Sequence, residues 1–247
     1  MSFIVGESLG QAYFDALRWA VEGELLYWYV VVHCSRPIIA DPATDGPIDY
    51  RDIKGLKNFL NLDEEVFRAF SSFRFHGHDS WSKDCTGRGW IYGRNMSLLD
   101  PRGYYHVALS SSFGFNQLDK VAERLAFRDK HGRMVNGGSG NGLVCQVYLP
   151  GDDLIRSCAK RPRVNNARCL TQIDFKPIGD RLNLIANFRS QYFDTKAYGN
   201  MISLAILLYQ MCQRTGYKPG AVVNVAHKVV FHGDKRLLYR HLQRKLG

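Results

Sequence analysis

Cys169 opens an alternating stretch, Cys-Leu-Thr-Gln-Ile-Asp-Phe, directly after the basic loop "KRPRVNN". Arg189 and Ser190 close a second alternating stretch, "RLNLIANFRS". Gly179-Asp180 lies between the two, and a turn between alternating strands is a hairpin signal. Such a hairpin sets Cys169 beside Arg189 and Ser190. A thiolate is a nucleophile where a thiol is not, and a nearby cation lowers the thiol pKa from about 8.5. A guanidinium fork with a hydroxyl beside it also suits phosphate oxygens. The pattern therefore points to a nucleophilic cysteine next to an anion site. The plainer alternative is a small buried thiol, with Arg189 in a salt bridge.

The elements that must position these residues can be read along the chain. Residues 8–24 form an amphipathic helix capped by Ser8, with Leu9, Tyr13, Leu17 and Ala20 on one face. "LLYWYVVVHC" reads as a buried strand. "LDEEVFRAFSSF" is a short helix opened by acidic residues, which suit its N-terminal dipole. The Gly-, His- and Trp-rich "FHGHDSWSKDCTGRGWIYGRN" has weak periodicity and reads as a functional loop. A helix "NQLDKVAERLAFRD", a flexible tip "GRMVNGGSGNG" and a strand "LVCQVYL" lead to the basic loop and the hairpin. "NMISLAILLYQMCQRTG" is apolar on nearly every face and reads as a central buried helix, stopped by Gly216. A strand "AVVNVAHKVVF" and a basic helix "GDKRLLYRHLQRKL" follow. The order describes one α+β domain over 1–247.

Composition narrows the partners. The chain has 247 residues, 45% of them hydrophobic, and a formal net charge of +10. That charge suits an anionic partner such as a nucleotide, phosphate or folate carboxylates, or equally a basic surface kept for solubility. No recognised nucleic-acid-binding module accompanies it, so nucleic acid is not the expected partner. The six cysteines show no CxxC pair and no zinc-knuckle spacing, and no metal is expected. With no secretory signal and no membrane-length apolar run, the expectation is a reduced, cytoplasmic protein with free thiols.

The intervals carry a family resemblance. "RCLTQIDF", then "RS" at Arg189-Ser190, then Asn200, resembles the thymidylate synthase and nucleotide hydroxymethylase superfamily, which has a Pro-Cys-(His or Leu) strand start, an Arg-Ser pair and an Asn at these intervals. "GYKPG" (216–220) is similar to that family's Gly-Leu-Lys-Pro-Gly after its long buried helix. "DSW" and "YG" recur with the family spacing from Trp81 to Tyr92, and "NQLDKVAERL" resembles the helix before the catalytic region. The likeness covers about 79–232, is strongest over 167–220, and leaves 1–70 as a divergent N-terminal part. The "CLxxIDF" variant with "FRS" looks closest to the archaeal-type and hydroxymethylase branches.

The resemblance implies a thymidylate synthase-like fold, a large mixed sheet with a central buried helix, and a homodimer with sheets packed back to back. It implies an enzyme that adds a methyl or hydroxymethyl group to C5 of a pyrimidine nucleotide. By position Cys169 is the nucleophile at C6, and Tyr92 an orienting or proton-handling hydroxyl. Arg189 and Ser190 hold the 5′-phosphate. Asn200 reads the pyrimidine edge, since an amide offers both donor and acceptor; Asn is also a good helix cap. Trp81 and Asp194 would meet 5,10-methylenetetrahydrofolate. Trp81 and Tyr92 also fit a plainer role as core aromatics. The sequence departs from the family in several places. Tyr192 stands where Asp is usual, with Asp194 two residues on. The paired arginines fall at Asn141 and Gly142, so Arg161 and Arg163 are the candidates to replace them. The sugar-contacting His falls at His232, or at His227 with a gap. Glu24, Glu64 and Glu65 are candidates for the active-site acid. About fifteen residues follow His232, where the family carries a tail that shuts out water, and an open site favours hydroxymethyl over methyl. Two other readings stand beside this one: a folate-independent enzyme of modified-nucleoside biosynthesis, and a non-catalytic nucleotide-binding homologue.

Overall fold

The computed structural model describes residues 2–7, 9–22, 28–37, 104–127, 130–131, 142–155, 158, 168–193 and 196–231. Expected elements at 62–73 and 233–246, the loop at 75–95 and the cap Ser8 lie outside the described residues.

The described strands form one seven-stranded mixed sheet. In chain order they are β1 (Ser2–Gly6), β2 (Trp28–Cys34), β3 (Val144–Gln146), β4 (Leu170–Ile178), β5 (Arg181–Phe188), β6 (Gln191–Tyr192) and β7 (Lys218–Val230). The spatial order is β1-β2-β7-β5-β4-β3, and β6 pairs with the far end of β7. β4 and β5 are the expected hairpin, with Gly179 taking the left-handed turn conformation at φ 59°. β5 and β7 run parallel, as do β1 and β2.

Among the described residues four α-helices accompany the sheet: α1 (Leu9–Glu22), α2 (Tyr104–Ser110), α3 (Gln117–Ala126) and α4 (Ala197–Thr215). α1 lies against β1 and β2, and α4 against β5 and β7. Register explains why this face of the sheet is the buried one. Val32, Asn224, Ala186, Ile173 and Cys145 line up across five strands, and all five are 0% exposed. Neighbouring rows run Val30–Ala226–Phe188–Leu170 and Cys34–Val222–Leu184–Phe175. Each fully buried Leu, Ile or Phe in these rows contributes about 1.5–3 kcal/mol. α4 buries Met201, Leu204, Ala205, Leu208 and Met211 above them, and Gly216 at φ 78° ends it. The architecture is α+β, as expected, with one cluster of buried residues spanning the described helices and strands.

Three expectations need correction. The edge strand β1 and the helix α2 are additional elements; both are short, five and seven residues. β4 does not alternate strictly. A bulge between Leu170 and Gln172 leaves Thr171 unpaired in the ladder, which puts Leu170 and Ile173 on the same buried face. The Thr171 carbonyl accepts the N–H groups of Val147 (2.9 Å) and Tyr148 (3.0 Å), and its hydroxyl donates to the Asn187 carbonyl at 2.8 Å. Finally, β7 begins at Lys218 rather than near Ala221, so "KPG" is strand. Gly220 is required there by close approach: a Cβ would sit 2.8 Å from the Leu182 carbonyl oxygen.

Candidate functional site

The hairpin brings its two open ends together. Cys169 immediately precedes β4, and Arg189-Ser190 immediately follows β5. The Arg189 N–H donates to the Cys169 carbonyl at 2.9 Å. The Cys169 Sγ lies 3.8 Å from the Ser190 Oγ, a contact in which either group can donate. The bulge at Thr171 bends the strand directly beside the thiol. Cys169, Arg189 and Ser190 therefore share one corner, at the open end of the hairpin.

The five described cysteines are free, but their settings differ. Cys34, Cys145 and Cys212 are buried, and burial pushes each thiol up to about 12. They stay neutral at any physiological pH. Cys158 is exposed and Cys169 half-buried. A thiol reagent at about pH 8 is expected to label Cys158 and Cys169 in the native protein. Cys34, Cys145 and Cys212 should react only on unfolding, as read by peptide mass spectrometry. Native labelling of those three at the Cys158 rate would contradict their burial.

An ion-paired cluster backs the corner. Arg168, 8% exposed, directs Nη1 to Asp153 Oδ2 at 2.8 Å and to Asp152 Oδ2 at 3.1 Å. Its own backbone N–H donates to Asp153 Oδ1 at 2.9 Å. Asp153, 1% exposed, also accepts the Leu149 N–H at 2.8 Å. Burial alone would raise this carboxyl. Two backbone N–H donors and the Arg168 guanidinium outweigh it and hold the group below the usual carboxylate range. Both aspartates belong to one π-helical turn, Pro150–Leu154. The Arg168 carbonyl in turn accepts Nε of Arg189 at 3.0 Å.

Two further polar features lie in the core behind the corner. Gln191 and Asn224, 2% and 0% exposed, exchange amide hydrogen bonds at 3.2 and 2.8 Å. They join the strand after Ser190 to the middle of β7. Tyr105 of α2 accepts the Leu170 N–H on its hydroxyl at 3.3 Å. Asn200 is not a helix cap: it lies inside α4, donates its N–H to the Lys196 carbonyl at 3.0 Å, and is 9% exposed.

The remaining sequence candidates divide in two. Tyr92, Trp81, Arg161, Arg163, Asp194 and His232, with Glu24, Glu64, Glu65 and Asn141, lie outside the described residues. Tyr192 is half-buried, with the Lys196 ammonium 5.2 Å from its ring centre. His227 stacks on Tyr29 at 4.9 Å, and the alternation of β7 puts it on the face opposite Asn224 and Ala226. Sequence reasoning missed Arg168, Asp152, Asp153, Gln191, Asn224 and Tyr105. Arg168 opens the "RCLTQIDF" stretch but the motif gives it no role, the others belong to no spacing motif, and each matters through a contact distant in sequence.

No protein-family profile matches the chain. Among curated proteins it is similar to a thymidylate synthase from Shewanella frigidimarina (strain NCIMB 400), 27% identical over 172 residues. The alignment takes in 66% of this chain and 53% of that protein, so the chain spans about half the length of the curated relative it matches. The mixed seven-stranded sheet is compatible with a thymidylate synthase-like fold. The match supports a relationship to that superfamily and to no particular branch of it.

Proposed function

We propose that the protein is a transferase that adds a one-carbon unit, methyl or hydroxymethyl, to C5 of a pyrimidine nucleotide. The observation that carries this reading is the corner where a half-buried thiol meets the Ser190 hydroxyl at 3.8 Å, with Arg189 tied to the same backbone. Likeness to a thymidylate synthase supplies the reaction class. Cys169 as thiolate adds to C6, and its electron pair makes C5 an enolate-like nucleophile. C5 forms a bond to the methylene carbon of the folate donor and loses its proton to a base. The carbon–nitrogen bond to the folate then breaks with the nitrogen keeping the pair. The exocyclic methylene would take either a hydride from tetrahydrofolate, which leaves as dihydrofolate, to give methyl, or water to give hydroxymethyl. Expulsion of Cys169 restores the ring double bond. Covalent addition divides one hard step into easier ones.

Arg189 and Ser190 hold the 5′-phosphate, aided by Arg161 and Arg163, and His232 takes the sugar. The Asn200 amide, buried within α4, suits a pyrimidine edge. Tyr92 assists at the reacting carbons. The one-carbon donor is 5,10-methylenetetrahydrofolate, met by Trp81 and Asp194. The chain folds as a single domain and works in the cytoplasm as a homodimer. The sheet face away from the helices supports the dimer, with Val5, His33, Val223, Ile185, Asp174 and Val144 in one row across six strands. A second, folate-independent reading rests on Tyr192, whose half-buried ring occupies the position where the resemblance expects a folate-contacting Asp.

The deciding experiment offers UMP, dUMP, CMP and dCMP carrying tritium at C5, with and without methylenetetrahydrofolate. Tritium release that requires folate supports the first reading. Release without folate supports the second. No release, together with no nucleotide binding by calorimetry, rules out both and leaves a non-catalytic homologue.

A further inference from the structure

Arg189 is held by a device that none of the expected site residues includes. A surface arginine has several free rotations, and an anion site built on one loses affinity to the entropy of fixing it. Here the guanidinium is anchored at Nε by the Arg168 carbonyl, 3.0 Å away. An oxyanion at this arginine would therefore be met by its Nη nitrogens. The anchor is itself anchored. Asp153 accepts the Arg168 backbone N–H (2.9 Å) and the Arg168 guanidinium (2.8 Å), so one buried carboxylate grips both ends of that residue. Asp152 adds a second arm at 3.1 Å. The Arg168 charge is thus engaged by two carboxylates and acts as structure, and the Arg189 Nε lies on the Arg168 carbonyl, one residue before Cys169.

We infer that Asp153 and Arg168 form a positioning clamp that sets where Arg189 presents its guanidinium beside Cys169. The inference rests on the reading of Arg189 as the phosphate ligand for its purpose, but not for its geometry. Nothing in it requires Arg168 or Asp153 to touch a substrate. The two act through the Arg168 carbonyl and through the backbone ahead of Cys169, whose own carbonyl takes the Arg189 N–H at 2.9 Å.

The test is the side-chain Nε–Hε signal of Arg189 in nitrogen-15 spectra of the full chain, assigned by its disappearance in Arg189→Lys. In the unchanged protein its exchange with water should be at least about tenfold slower than that of exposed arginines. Asp153→Asn should bring it to the exposed rate. Arg181, which donates to the Pro219 carbonyl at 2.8 Å elsewhere on the sheet, should keep its own rate. A general loosening would move both signals, and that result overturns the clamp, as does an unchanged Arg189 rate. If Asp153→Asn fails to fold, Arg168→Lys keeps the cation but offers one pivot in place of a fork; a rise of several-fold at Arg189 alone is expected. A dUMP titration separates the two ideas. Affinity should fall about tenfold in Asp153→Asn, with no further fall when it is combined with Arg189→Ala. Additive losses overturn the clamp. If the unchanged protein binds no dUMP, the nucleotide reading fails while the exchange rates still decide the clamp.

Discussion

Cys169→Ser is expected to lower tritium release from the labelled nucleotide by at least about a thousandfold, because a serine hydroxyl is not ionised near neutral pH and cannot add to C6. The exchange removes little packing. Cys169 is half-buried at a strand mouth, and serine keeps its size and its reach towards the Ser190 hydroxyl. The unfolding midpoint should therefore stay within about 2 °C. Nucleotide affinity should also hold, since under the proposed function binding falls to Arg189, Ser190 and Asn200. Cys158→Ser is the matched control, an exposed thiol with no role in the proposed chemistry, and should retain full release. A Cys169→Ser protein that still releases a tenth of the tritium or more would remove the thiol from the chemistry.

The largest effect on stability should come from the amide pair. Asn224 occupies the middle of an otherwise apolar row, with Val32 and Ala186 beside it. Only the reciprocal bonds with Gln191 make its burial tolerable. Asn224→Val strands the Gln191 amide, whose donor and acceptor each cost about 1–3 kcal/mol when left unmet. A loss of about 2–5 kcal/mol by urea unfolding is expected. Changing Gln191→Leu alongside Asn224→Val should recover part of it, because an apolar pair leaves nothing unsatisfied. If the double variant is as unstable as the sum of the singles, the two amides are not coupled. Gln191 follows Ser190 directly, so Asn224→Val should also weaken nucleotide binding, which ties the core of the sheet to the corner.

Much of this was legible in sequence because it is local. The hairpin declares itself through two alternating runs around Gly179-Asp180, and it places Cys169 opposite Arg189 and Ser190 unaided. α4 is legible from its apolar length and from Gly216. What escaped is non-local or short. β1 has five residues and owes its place to pairing with β2. The bulge at Thr171 is fixed by the N–H groups of Val147 and Tyr148, across a basic loop. Asp153 and Arg168 are fifteen residues apart, and no spacing rule announces a carboxylate that folds back onto the residue before a cysteine. Asn200 looked equally suited to capping and to recognition. Only its place within α4 separates the two.

The position of β7 bears on how the chain is made. This strand lies between β2 and β5 in the sheet, yet it follows β2 by about two hundred residues, as the pairing of Val30 with Ala226 records. A ribosome adding about 5–20 residues per second leaves β1, α1 and β2 without their central partner for roughly 10–40 seconds. During that interval the apolar edge of β2 is open to other strands. Expression yield should then depend more on chaperone supply and on growth temperature than on the stability of the finished fold.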